Sequence, residues 1–199
     1  MACHTPASRI QTQTSHETID DVKQTARLLA SDIADYMLKS PATLRCRHAA
    51  TLRRVVGRLI KRHEIVFSSI GRKLRSRNNV DGSTVDRCRC TIINIVGEVF
   101  ADGCINWGRI VTIYAFAGWI LRDQCREESG SNELIEVIAD TVGDFVADNF
   151  SGWICRQGGW DALEMLFLVE QPYAHESALR RGLTVILLAS GVLALIALL

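Results

Sequence analysis

The sequence predicts an all-α chain, a bundle of helices wrapped around one hydrophobic helix, with an apolar C-terminal tail. Three observations predict it. Ile105 to Leu121 (INWGRIVTIYAFAGWIL) is apolar on nearly every face, the pattern of a helix buried on all sides or crossing a membrane. With about 17 residues, and Asn106 and Arg109 in its first turn, it is too short and too polar for a comfortable span. It is therefore read as the axis of a globule. The segments on either side carry apolar residues at helical spacing. The last 18 residues hold no charge at all.

Each element follows from its own residues. Residues 1–18 begin with a Thr-, Ser- and Gln-rich stretch and read as disordered. The helical domain runs over 19–170. Asp20 to Leu38 sets Val22, Ala26, Leu29, Ile33, Tyr36 and Met37 on one face. Asp20 and Asp21 suit the positive end of the helix dipole, and Ser40-Pro41 ends the helix. Ala42 to Arg62 is a basic helix with Leu44, Ala49, Leu52, Val55, Val56, Leu59 and Ile60 as its stripe. Ser76 to Gly82 (SRNNVDG) is turn chemistry.

Ser83 caps a helix through Phe100, with Val85, Ile92, Ile93, Val96, Val99 and Phe100 inward. The central helix follows, started by Asp102, Gly103 and the N-cap Asn106 and ending near Arg122. After a polar loop over Arg126 to Ser131, Ser131 or Asn132 caps a helix that ends near Asn149. Its core face is Leu134, Val137, Ile138, Thr141, Val142, Phe145 and Val146. Two short helices fit Gly152 to Arg156 and Trp160 to Leu168.

A linker spans 171–181. Gly182 to Leu199 then extends ~27 Å as a helix, close to the ~30 Å hydrocarbon core of a bilayer. Its position behind Arg180-Arg181 favours a tail anchor over a buried core helix, with the two arginines on the cytosolic side.

Charge and cysteines bound the function. The formal net charge is +1, so no nucleic acid or other polyelectrolyte partner is implied. The balance hides an asymmetry. Arg45 to Arg77 holds 11 Lys/Arg and one acid, Glu64, whereas Glu127 to Glu176 holds 11 Asp/Glu and one base, Arg156. Either these are solvated faces that attract each other within the fold, or the basic stretch is a rim that steers an acidic ligand. Seven cysteines behind a polar N-terminus (MACHTPASRIQTQTS) suit free thiols in a reducing cytosol. Cys88 and Cys90 point to different faces of a helix, and no cysteine or histidine spacing matches a zinc site. No cofactor and no metal is expected. The sequence has no nucleotide loop, HExxH or GxSxG, and its five histidines are scattered, so no enzyme is read.

Two motifs carry a resemblance. Asn106-Trp107-Gly108-Arg109 after Phe100-Ala101-Asp102-Gly103 resembles the first homology motif of the Bcl-2 family of apoptosis regulators. WICRQGGW over Trp153 to Trp160, continuing Asp161-Ala162-Leu163, resembles the second. Their order, their spacing and the apolar tail extend the likeness over roughly Asp20 to Leu199. The basic helix stands where the family has its third motif, Leu-x-x-x-Gly-Asp. Leu52-Arg53-Arg54-Val55 matches the start, but Val56 falls on the family Gly and Gly57 on the family Asp. His63-Glu64 with Phe67, and Arg72-Lys73-Leu74, are similar to the myeloid-leukaemia branch.

The resemblance implies a Bcl-2-like bundle of about eight helices with a surface groove. The groove accepts the amphipathic death-motif helix of a pro-apoptotic family partner. Arg109 would clamp a carboxylate with two hydrogen bonds, Asn106 would offer an amide, and Gly108 would admit the partner's backbone. Val96, Val99, Phe100, Thr112 and Phe116 would form the floor, and Phe67, Ile70 and Leu74 the far wall. Other readings stay open. Arg109 could serve as a structural partner of an acid such as Asp102, Phe100 and Phe116 could be plain core, and Trp107, Trp153 and Trp160 are packing anchors before they are ligand contacts.

The resemblance also implies attachment to the mitochondrial outer membrane, facing the cytosol, with the endoplasmic reticulum as the alternative. With Gly57 in place of the acid and Arg53, Arg54 and Arg58 around it, exchange of this helix between two copies would set Arg against Arg. A pro-survival role is therefore expected. A pore-forming executioner of the same fold is the alternative, and a tail-anchored adaptor the remote one.

Overall fold

The computed structural model describes residues 17–38, 43–76, 83–125 and 132–168, with the side chains of Ile70, Leu168 and residues 73–76 excluded. Seven α-helices lie among the described residues: α1 Ile19–Met37, α2 Ala49–Arg62, α3 Glu64–Ser76, α4 Thr84–Val99, α5 Trp107–Gln124, α6 Asn132–Arg156 and α7 Asp161–Leu168. The apolar C-terminal segment 182–199, the linker and residues 1–16 lie outside the described residues. Among the described helices, none is long and apolar enough to cross a membrane.

α5 is the axis. Every residue from Trp107 to Leu121 is buried, and α1, α2, α3, α4 and α6 all pack against it. A helix that is enclosed on every side must be apolar on every side, which is why its sequence shows no stripe. Gly118 permits the close approach of α1: a Cβ there would stand 2.7 Å from Met37 Cγ and 2.8 Å from Ile33 Cγ2. The buried hydroxyls of α5 are bonded, as burial favours. Tyr114 on α5 donates its hydroxyl to Ala26 O of α1 at 3.0 Å.

The helix starts are capped. Thr18 and Asp21 form a capping box at α1. Ser83 accepts from Val85 N at α4, and Asn106 accepts from Arg109 N at α5. Thr18 and Glu17, counted with the N-terminal segment on sequence, are therefore placed parts of the fold.

Three expectations need correction. The basic helix starts at Ala49, not Ala42, because residues 43–48 form a turn. Arg45 N donates there to the buried carboxylate of Asp32 at 3.0 Å, a tertiary bond that a continued helix would forfeit. The expected break near Asn149 is absent: α6 runs unbroken for 25 residues to Arg156. Phe150, Ser151 and Ile154 continue its buried face past Gly152. Ile93 is 51% exposed, while Cys88, Ile92, Val96 and Val99 carry the inward face of α4. That stripe leaves Ile93 one residue off, about 100° round the helix.

The second motif forms the turn between α6 and α7. Gly158 and Gly159 have φ of 100° and 72°, a region that costs residues with a Cβ. The turn presents Trp160 N to Glu17 Oε2 at 2.8 Å and sends the Trp160 ring into the core, wholly buried, with its indole N–H donating to Val22 O at 3.1 Å.

Candidate partner-binding surface

The start of α5 holds the residues with the most specific chemistry. The turn from α4 delivers Asp102, Gly103 and Cys104, and Asn106 then fixes the first helical turn by accepting Arg109 N at 2.9 Å. The guanidinium of Arg109 is buried, with 5% of the residue exposed. Its Nη1 and Nη2 fork onto Oδ1 and Oδ2 of Asp102, the Nη2 bond at 2.7 Å. Nη1 also donates to Cys104 O at 2.7 Å. Arg109 Nε is buried and has no hydrogen-bond partner among the described residues.

Two-pronged pairing of this kind is the strong form of the arginine–carboxylate contact. It holds the Asp102 carboxyl well below the usual carboxylate range, helped by the backbone N–H of Cys104, and it raises Arg109. The structure thus realises the pairing of Arg109 with Asp102 that sequence offered as an alternative.

The remaining expected residues separate into groups. Gly108 and Thr112 are buried, with Thr112 Oγ1 donating to Gly108 O at 2.7 Å. Phe67 of α3 and Phe116 of α5 do meet, at 5.8 Å between ring centroids, with Trp119 6.0 Å from Phe67. Val96 and Val99 are buried on α4. Phe100 turns to α6 instead, 4.4 Å from Phe150 and 6.3 Å from Phe145. Phe100 is half-buried, and the other described floor and wall residues are buried. The expected floor is therefore closed over, as apolar side chains at a groove bury one another when they can. Ile70 and Leu74 lie on α3, and their side chains are outside the described residues.

The tryptophans are packing anchors. Trp107 lies 5.3 Å from Trp153 and 5.6 Å from Trp160, and Tyr114 lies 6.3 Å from Trp160. Both sequence motifs thereby converge on one aromatic cluster.

Two ionic features had no sequence signature that was recognised. Asp32 of α1 is wholly buried and receives Arg53 of α2, Nε at 2.6 Å and Nη2 at 2.8 Å. An acid between Leu29 and Ile33 on an apolar face was the available clue. Near α7, Glu17, His48 and Asp161 come within 4.8 Å of one another. Arg47 lies among them, on Glu17 at 3.2 Å and Asp161 at 2.9 Å, and donates to His48 Nε2 at 2.9 Å. His48 Nδ1 faces Glu164 at 2.9 Å. Arg47 already bridges Glu17 and Asp161, so the cluster reads as an ion-pair network. Arg45, Arg47 and Arg53 of the basic stretch thus pair with acids from before α2 and from α7, whereas Arg27 of α1 serves the acidic α6 through Asp144.

Comparison with known proteins agrees with this geometry. Residues 52–160 match the family described as apoptosis regulator proteins, Bcl-2 family. Apoptosis regulator BAX of Bos taurus is 37% identical over 83 residues, 41% of this chain and 42% of the bovine protein. Bcl-2-related protein A1 of Bos taurus is 34% identical over 82 residues, 41% of this chain and 47% of that protein. The alignments thus span less than half the length of these relatives. Among solved structures, the zebrafish pro-survival protein NRZ in complex with Bad BH3 superposes with a TM-score of 0.63 at 21% identity, over 75% of this chain and 96% of the other. Chicken BOK gives 0.60 at 21% identity, over 75% and 97%.

Proposed function

The chain belongs to the Bcl-2 family of apoptosis regulators, and from that premise we propose that it is a pro-survival member that sequesters the amphipathic death-motif helix of pro-apoptotic partners. The observation that carries the binding reading is Arg109. It is a buried guanidinium at the start of the central helix, already holding a carboxylate in a two-pronged fork. A helix that offers an Asp beside apolar residues matches that chemistry. The ligand would lie along α5 between α3 and α4, over Phe67, Val96, Val99, Thr112 and Phe116. Ile70 and Leu74 would form the wall, Asn106 and Gly108 would sit beside Arg109, and Phe100 would lie at the edge nearest α6. The aromatic floor must open to admit it, in the way that many regulatory interfaces rearrange on binding. The likeness to a pro-survival protein solved with a BH3 segment supports the reading.

The pro-survival sign is supported by α2. Gly57 stands where an exchanged helix would need an acid, and Arg53 is spent on Asp32 inside the fold. The similarity to BAX favours one competing reading, a pore-forming effector. Gly182 to Leu199 would fix the chain to an intracellular membrane, the mitochondrial outer membrane in this proposal.

A labelled death-motif peptide titrated by fluorescence polarisation tests the binding. Saturable uptake is expected, and Arg109→Ala should weaken it by ~1.5–3 kcal/mol. Absence of saturable binding sinks the groove. Liposome dye release tests the sign. Suppression of release by a family executioner is expected, whereas rapid release by this protein alone after peptide addition establishes the effector instead.

A further inference from the structure

We propose that the corner where α1, α2, α3 and α5 meet is a ligand site, one that takes a small carboxylate with an apolar body. The inference does not depend on the groove along α5. A cavity of about 420 Å³ opens at this corner, within the range of about 300–1,000 Å³ usual for small-molecule sites. Its floor is apolar, made by Met37 at the end of α1 and Ile60 of α2, which are 7% and 4% exposed. Its rim is polar, with Tyr36, Lys61, Glu64 and Arg122.

Gly57 helps to keep the cavity open. It lines the space without a side chain, and a Cβ there would stand 3.3 Å from Tyr36 Oη. A longer side chain on α2 would project towards that hydroxyl. Apolar walls with a few converging polar groups are what a small amphipathic ligand needs.

The sign of the ligand follows from the two cations. Arg27, Arg45, Arg47, Arg53 and Arg109 are each committed to an acid. Lys61 and Arg122 form no hydrogen bond or ion pair among the described residues. Lys61 is exposed and Arg122 is half-buried. Glu64 is the one acid on the rim, so two cations face one anion. Met37, Lys61 and Arg122 also lie in the last turns of their helices, whose carbonyl ends carry partial negative charge. Those ends temper the surplus, so one negative charge suits the site better than a dianion. A carboxylate between Lys61 and Arg122 gains two charge-assisted contacts, while its apolar body covers Met37 and Ile60. Such a ligand joins α1, α2 and α5 and stabilises the folded chain by mass action.

The test uses the full-length protein and three probes of one shape: 3-phenylpropanoate, 3-phenylpropan-1-ol and 3-phenylpropylammonium. Methyl NMR of Met37 and Ile60 reports the site itself. The acid should move both signals saturably and raise the melting temperature. It should bind about tenfold tighter than the alcohol, and the ammonium should bind weakest. Lys61→Gln and Arg122→Gln should each weaken the acid about threefold, as partly exposed pairs do, and leave the alcohol unchanged. Lys61→Glu should narrow or reverse the preference for acid over ammonium. Equal affinities for acid and alcohol in the native chain overturn the proposal, and that comparison needs no variant to fold. So do Met37 and Ile60 signals unmoved by the acid, whatever shifts elsewhere. Undiminished binding of the acid by both glutamine variants overturns it as well.

Discussion

Asp32 on α1 and Arg53 on α2 form a fork inside the bundle, with Nε and Nη2 of the arginine at 2.6 Å and 2.8 Å from the two carboxylate oxygens. Asp32 also accepts Arg45 N, and the guanidinium lies 5.5 Å over the Tyr36 ring. The carboxylate is wholly buried and the arginine side chain is 15% exposed. One carboxylate therefore ties both α2 and the turn before it to α1.

Breaking that pair on one side should be costly. Asp32→Ala removes the buried carboxylate onto which Arg53 forks, and loss of one partner of such a pair typically costs ~3–5 kcal/mol. Replacing both partners by apolar residues of similar size should recover most of the loss. Urea unfolding of the single variants and the double variant checks this. Losses that simply add would mean the two residues do not act as a pair.

Gly57 should tolerate a side chain. A Cβ there would stand 3.3 Å from Tyr36 Oη, and that ring is 38% exposed, so it can give way. Ala at a helix interior is worth up to ~1 kcal/mol over Gly. Gly57→Ala should therefore shift stability by less than ~1 kcal/mol in either direction. Gly57→Asp should fold as well and should raise self-association in sedimentation experiments, because it supplies the acid that α2 lacks. A monomer indistinguishable from the native chain would remove Gly57 from the argument about function.

Acid should act on Asp102. Its carboxyl is depressed first by Arg109 and then by Cys104 N–H. A depressed folded-state value stabilises the fold above the unfolded carboxylate value near ~3.9. That contribution is lost as pH falls through the folded value. The urea midpoint of the native chain should therefore fall as pH drops below about 4, and Asp102→Asn should show a shallower fall over the same range. Parallel curves would deny Asp102 a part in acid stability.

The cysteines should divide by reactivity. Burial pushes the Cys88 thiol up to about 11, and the residue is 2% exposed, so little thiolate is available to an alkylating reagent at neutral pH. Cys90 and Cys104 are exposed. Iodoacetamide followed by mass spectrometry should label Cys90 and Cys104 well before Cys88. Rapid labelling of Cys88 would show that the start of α4 opens readily.

The sequence alone determined whatever is set within a turn or two of chain. The enclosed axis showed in a run without a polar face, and the starts of α4 and α5 in Ser83 and Asn106. The family showed in two motifs whose tryptophans pack together. These signals are local because a helix is stabilised by its own near neighbours and by the face it buries. Tertiary structure decided the rest. Whether residues 43–48 are helix depended on Asp32, thirteen residues away. The fate of the basic stretch depended on acids such as Glu17, thirty residues before Arg47, and Glu164, 116 residues after His48. Phe100 sided with α6 because its rings were there to meet it. Arg109 was legible as a carboxylate clamp, but only the geometry of the α4–α5 turn decided which carboxylate it holds. Periodicity says that a side chain faces inward. The partner it finds there is chosen by packing between segments far apart in the chain.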